Sequence, residues 1–138
     1  KYWNADWQLE RAGFGGAGGG MRGIRGITYL DNDVLITYPR DEIRGLVLSR
    51  TLKINNEKEL SFDVGSDPKR AWNLHVFVQN DSKVVKTIEG GDTEQKWETI
   101  KVDLSEYKGQ AVKIRLYQRV LVPGKEAGNA YWKNLQIK

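Results

Sequence analysis

Apolar residues fall on every second position through most of the chain beyond residue 30. Leu60, Phe62 and Val64 alternate with Glu59, Ser61 and Asp63. Trp72, Leu74, Val76 and Val78 alternate with Asn73, His75, Phe77 and Gln79. Ile100, Val102 and Leu104 share one side of a third run. Val112, Ile114 and Leu116 share one side of a fourth, with Lys113, Arg115, Tyr117 and Arg119 on the other. Residues 45–54 are rich in branched side chains, and Leu135 and Ile137 close the chain. A period of two gives each strand one buried and one wet face. Several such runs separated by turns make an antiparallel sandwich or barrel. No window carries a helical stripe over three turns. Residues 103–107 read as one short helical turn at most, capped by Asp103 or Ser105.

The breaks between runs have turn chemistry. Asn80-Asp81-Ser82-Lys83 joins residues 72–79 to residues 84–88 as a hairpin. Gly65-Ser66-Asp67-Pro68, Glu89-Gly90-Gly91-Asp92 and Lys108-Gly109 are further reversals. There is no internal repeat and no linker, so the 138 residues form a single domain spanning 1–138. The chain has no cysteine, which excludes a disulfide framework, thiolate metal ligands and a cysteine nucleophile. No stretch approaches the 18 apolar residues of a membrane span, and no signal segment opens the chain. A first residue of Lys1 rather than methionine marks an expected piece of a longer protein. The net charge of +4 is spread along the chain in interleaved lysines and acids. Dispersed charge of this kind is a solvated surface, and nucleic-acid binding is not expected.

Eight of the fifteen glycines lie between Gly13 and Gly26, a stretch that contains Gly13-x-Gly15-x-x-Gly18. A dinucleotide fingerprint needs a strand before it and a helix after it, and no helix-forming run follows. The stretch reads instead as a long surface loop over 13–26. Its Arg22 and Arg25 sit on backbone that glycine allows to approach a ligand closely. Catalytic constellations are scarce. His75 is the single histidine, so no histidine cluster can hold zinc. The acids fall mostly at turns, and Asp63 is the one mid-strand acid of interest for paired-carboxylate chemistry. The chain is therefore not expected to be an enzyme.

The five tryptophans carry more information. Trp72 and Trp97 each open a strand in phase with buried positions and are expected in the core. Tyr2, Trp3 and Trp7 are placed to cover an open end of the sandwich. Trp132 is out of phase with Tyr131, Leu135 and Ile137 and is expected to face away from the core. His75, Phe77, Gln79, Arg115, Tyr117 and Arg119 share the outward parity of two central-looking strands. If those strands are neighbours, they make a face of flat aromatics and planar hydrogen-bonding groups of the kind a sugar site uses.

The segment from Trp72 onward carries a W-x-L-x-V-x-V run and a hairpin. The block Trp97-Glu98-Thr99-Ile100-Lys101-Val102-Asp103-Leu104-Ser105-x-Tyr107-x-Gly109-Gln110-x-Val112-x-Ile114-x-Leu116 follows, then Ala130-Tyr131-Trp132-x-Asn134-Leu135-x-Ile137. With Leu48-Ser49-Arg50 and Leu60-x-Phe62-x-Val64-Gly65 before it, this resembles the galactose-binding-like β-jelly-roll domains appended to secreted bacterial glycoside hydrolases. The resemblance runs from Leu46 to Ile137. It implies an all-β, antiparallel jelly-roll sandwich. It also implies a non-catalytic carbohydrate-binding module of a larger secreted or periplasmic polysaccharide-degrading protein, with a glycan and a fused catalytic domain as partners. The alternative is a structural sandwich that packs against a neighbouring domain. Sites in such folds lie in the loops at one end or on the concave face. Here the loop-end candidates are Arg22, Arg25, Arg50 and Trp132, and the face candidates are His75, Arg115, Tyr117 and Arg119. The loop over 123–129 favours the loop end slightly. Many members hold a structural calcium through an acid in the last strand. Here Lys133 stands in that segment, so no cofactor is expected, with backbone carbonyls near Glu10 or Asp31 as the remaining route to calcium.

Overall fold

The computed structural model describes residues 4, 6–11, 28–30, 33–39 and 42–138. The Gly-rich stretch over 13–26, with Arg22 and Arg25, lies outside them, as do Tyr2 and Trp3. The described chain forms two sheets, with one 3-10 turn at Ser105–Tyr107. The strands are β1 (Gln8–Arg11), β2 (Thr28–Leu30), β3 (Val34–Thr37), β4 (Leu46–Lys53), β5 (Glu59–Ser66), β6 (Arg70–Val78), β7 (Asp81–Glu89), β8 (Glu98–Asp103), β9 (Ala111–Arg119), β10 (Glu126–Ala127) and β11 (Ala130–Ile137). The first sheet runs β1-β4-β9-β6-β10, with β7 also paired to β6. The second runs β2-β3-β11-β5-β8. Apart from the two-residue parallel pairing of β10 with β6, the ladders are antiparallel.

The alternation seen in the sequence becomes the core. Leu60, Phe62 and Val64 of β5 and Ile100 and Val102 of β8 point inward from the second sheet. They meet Trp72, Leu74, Val76 and Val78 of β6 and Val112, Ile114 and Leu116 of β9 from the first. Trp7 is buried in this core at the start of the described chain. The sheets are also joined by a polar seam. Thr37 Oγ1 donates to Gln118 Oε1 (2.6 Å), Gln118 Nε2 donates to the Thr37 carbonyl (3.1 Å), and Trp132 Nε1 donates to Thr37 Oγ1 (2.9 Å). Each buried side-chain polar atom of the three thus has a partner, as an apolar interior requires.

Several turns follow their expected chemistry. The Asp103 carboxylate accepts the Ser105 backbone N–H (2.8 Å) and hydroxyl (2.7 Å), which starts the 3-10 turn. Tyr107 then packs across the corner and donates to Asp81 (2.6 Å). Gly45 (φ +83°) leads into β4, and a Cβ there would lie 2.3 Å from the Gln118 carbonyl, so only glycine lets β4 lie against β9. The β6–β7 hairpin is tighter than expected. Its loop is Gln79-Asn80, with Gln79 at φ 55°, and residues 81–83 already belong to β7. The loop over 123–129 is partly strand, since β10 pairs with the start of β6. Asp67 pins it by accepting from the Asn129 backbone N–H (2.9 Å), the Asn129 amide (3.0 Å) and the Tyr131 hydroxyl (2.6 Å). Burial first, and then the Asp67 carboxylate, push the Tyr131 phenol up to about 12.

Two aromatic expectations are corrected. Trp132 is only 1% exposed, packed against Trp72 and Phe62 with ring centroids 5.1 and 6.2 Å away. The cause is a bulge in β11. Trp132 lies opposite the inward Val64, whereas Ile137 lies opposite the inward Leu60, and the register shifts between Lys133 and Gln136, where Asn134 adopts φ 56°. Trp132 and Ile137 therefore both point inward although their numbers differ in parity. Trp97, expected in the core, precedes β8 and is 37% exposed, edge-on to Tyr131 and beneath the Lys133 ammonium (3.9 Å to the ring centroid).

Candidate functional site

The two outward-facing runs that had no fixed relation in the sequence are adjacent strands. In the β6–β9 ladder Asn73 lies opposite Arg119, His75 opposite Tyr117, and Phe77 opposite Arg115. All of these side chains are half-buried on the outer face of the first sheet. Strands sit about 4.8 Å apart and same-face residues on one strand about 6.6 Å apart, so these side chains touch. The His75 and Phe77 rings are 4.1 Å apart and tilted by 33°. Tyr117 meets Phe77 edge-on at 5.6 Å and lies 6.4 Å from His75. The three rings form a continuous aromatic platform.

Two guanidinium groups frame it. Arg115 lies 5.0 Å from the Phe77 centroid and 5.8 Å from that of Tyr117, and Arg119 lies 4.6 Å from the Tyr117 centroid. All three distances are within cation–π range. Arg115 is held by donating to the Tyr117 hydroxyl (3.1 Å) and the Gln79 carbonyl (2.9 Å). The Gln79 side chain in turn spans the hairpin end, accepting from the Lys113 backbone N–H (2.9 Å) and donating to the Ala111 carbonyl (3.3 Å). On the β7 side, the Thr87 hydroxyl donates to Asn73 Oδ1 (2.7 Å), which orients its amide, and exposed Val85 lies opposite His75. The platform is thus held by its own hydrogen bonds.

His75 Nε2 is 2.8 Å from Ser82 Oγ. A serine beside a histidine is part of an acyl-transfer constellation, but that chemistry also needs an acid to orient the imidazole. Residues 71–78, 82–88 and 111–119, which form this part of the face, contain no aspartate or glutamate. Burial, and then the charges of Arg119 and Arg115, hold the His75 pKa below its ordinary value, which favours a neutral ring. The arrangement is suited to stacking and hydrogen bonding.

Arg50 and Trp132 do not join this face. Arg50 lies on the opposite phase of β4, level with Ile114 of β9, is 27% exposed, and approaches Asp6 at 4.0 Å. Trp132 is in the core, so Trp132 and Arg50 do not come together, and Arg22 and Arg25 lie outside the described residues. Asp63 accepts from Thr99 (2.7 Å) and Asn134 (2.8 Å) and acts as a cross-strand clamp. Lys133 contacts Trp97, as described above. Among the described residues no three His, Asp or Glu side chains cluster as metal ligands, and no helix is long and apolar enough to cross a membrane. Sequence reasoning missed the contribution of β7. Ser82 reaches the face because the hairpin turns at Gln79-Asn80, earlier than the turn chemistry indicated, and Val85 and Thr87 reach it because the β6–β7 ladder shifts register between Val76 and Phe77.

No family model and no curated protein matches the chain. Solved structures do match. The K1 cleaved adhesin domain of Lys-gingipain from Porphyromonas gingivalis W83 is 16% identical, with a TM-score of 0.63, covering 100% of this chain and 95% of that one. A family 35 carbohydrate-binding module from an environmental isolate is 15% identical, with a TM-score of 0.51, over 80% of this chain and 76% of that one. A family 51 carbohydrate-binding module from Clostridium perfringens, in complex with methyl-galactose, is 13% identical, with a TM-score of 0.51, over 95% and 80%. At these identities the likeness is one of fold, and this chain has the β-sandwich fold of carbohydrate-binding modules and adhesin domains.

Proposed function

We propose that this chain is a non-catalytic carbohydrate-binding domain whose site is the outer face of β6 and β9. The observation that carries this reading is the aromatic platform of His75, Phe77 and Tyr117 framed by Arg115 and Arg119. Flat rings stack on the C–H faces of a pyranose, while guanidinium and amide groups donate to its hydroxyls. The fold shared with carbohydrate-binding modules supports the reading, as does a face lacking the acids of glycoside hydrolysis or of a serine triad. In this reading the domain belongs to a larger secreted or periplasmic bacterial protein that degrades polysaccharide. Tethering to the catalytic domain raises the effective concentration of a weak binder at its substrate.

Calorimetric titration against a panel of neutral and acidic glycans tests this. Tyr117→Ala is expected to weaken binding at least tenfold, the scale of about 1.4 kcal/mol, while a cooperative unfolding transition is retained. A folded wild-type domain that binds no glycan of the panel overturns the proposal. The alternative, a sandwich that packs against a neighbouring domain, is favoured by one observation. Ile43 is 82% and Leu121 57% exposed, and Leu121 borders a hollow of about 400 Å³ lined also by Val120, Val122 and Pro123. Leu121→Ser abolishing association with the neighbouring domain, with glycan binding unchanged, would favour that reading.

A further inference from the structure

The charge of the platform narrows its ligand. Around the platform the first sheet consists of β4, β9, β6 and β7, with β1, which includes Glu10, and β10, which includes Glu126, at its flanks. Residues 46–53, 111–119, 71–78 and 82–88 of these strands include no aspartate or glutamate, although the whole chain carries 18 acids. The acids of β7 stand at its ends. Asp81 is bound by Tyr107, and Glu89 faces Lys125 at 3.7 Å. Elsewhere several basic side chains find acids: Arg70 pairs with Glu126, Lys83 with Glu106 and Lys86 with Glu98. Arg115 and Arg119 differ. Among the described residues neither is in an ion pair, and both lie against aromatic rings instead.

Two unneutralised guanidinium groups flanking one tyrosine are an expensive arrangement without an anion, because like charges on one face repel. Arginine has five N–H donors in a planar fork that matches a carboxylate in bidentate fashion. Arg115 uses donors on Tyr117 and Gln79 and is thereby fixed in orientation, while the Arg119 guanidinium makes no hydrogen bond among the described residues. The fork of Arg119, stacked on Tyr117 opposite the amide of Asn73, is the better placed of the two for an incoming carboxylate.

We propose that the glycan recognised on this face carries carboxylates, as in a polyuronate, with a uronic acid ring stacked on Tyr117 and Phe77 and its carboxylate on Arg119 and Arg115. This rests on the glycan-binding reading above and specifies the substrate class of the same site. Burial, and then the charges of Arg119 and Arg115, hold the His75 pKa below its ordinary value, in keeping with an electropositive face.

The test compares polygalacturonate, alginate and hyaluronan with the carboxyl-reduced form of each, alongside a neutral glycan panel, using wild type, Arg119→Gln and Tyr117→Ala. Wild type is expected to bind at least one polyuronate, and its carboxyl-reduced form at least tenfold more weakly, the scale of one charge-assisted contact. Arg119→Gln is expected to weaken binding to the acidic polymer more than to its carboxyl-reduced form, removing most of that difference. Tyr117→Ala should weaken both. Binding to the acidic polymer should also fall as ionic strength rises. Equal affinity for acidic and reduced polymers overturns the carboxylate proposal and leaves the glycan site standing, as does binding confined to neutral glycans. Equal binding of dextran sulfate or single-stranded DNA overturns it in favour of a general polyanion surface. Failure to bind any glycan overturns the underlying glycan-binding reading with it.

Discussion

His75 reports on the charge of its neighbours. Its pKa is lowered chiefly by burial and then by Arg119 and Arg115, so the folded state releases its proton more readily than the unfolded chain. The neutral ring's contribution to stability is complete above about 6.5, the ordinary value, and is lost as pH falls through the folded-state value, because the unfolded chain takes up the proton first. NMR titration of the ring should give a value below that of a model peptide. Arg119→Gln should move it upward, and no movement would show that Arg119 exerts no field there. Trp132 belongs to the same scale. Its tight packing and its bond to Thr37 make Trp132→Ala a stability variant, with an expected loss of about 3–5 kcal/mol in urea unfolding. Tyr117→Ala, at a half-buried position on the sheet's outer face, should cost far less.

Among the elements, β6 and β9 were legible in the sequence because their alternation is uninterrupted. Each residue's face follows from its number, and the outward set of His75, Arg115, Tyr117 and Arg119 holds together as expected. Their adjacency was not legible, since β7 and β8 intervene between them in the chain, and strand order arises from long-range pairing that no local pattern encodes. β11 shows the opposite failure. Its number-based phase breaks at the bulge, and nothing short of the pairing with β5 reveals that Trp132 and Ile137 share a face. Asn134 makes the bulge possible, through its left-handed backbone and its amide bond to Asp63. Asn134→Val, with a β-branched side chain at φ 56°, is expected to cost about 1–3 kcal/mol. Asn134→Gly should lose only part of that, because it keeps the backbone freedom and gives up the amide bond. Equal losses in the two variants would mean that backbone strain is not what the asparagine relieves.

On the scale of the whole molecule, the sandwich has an asymmetric division of labour. The inner faces carry the apolar core, and the seam of Thr37, Gln118 and Trp132 joins the two sheets through polar contacts. The outer face of β6 and β9 is left with rings and cations. The seam locks β9 against β3 and β11, and β9 carries Arg115, Tyr117 and Arg119 on its other side, so rigidity on one face sets geometry on the other. Thr37→Val tests that link. It removes the donor to Gln118 Oε1 and the acceptor of Trp132 Nε1, leaving two buried polar groups unpaired at about 1–3 kcal/mol each. Adding Gln118→Leu should restore part of the loss, because it removes the unpaired Oε1, while the residue 37 carbonyl gives up its bond from Nε2 and the indole N–H stays unpaired. Urea unfolding of the single and double variants measures this directly. Additive losses would show that Thr37 and Gln118 act separately and that no seam holds the two sheets in register.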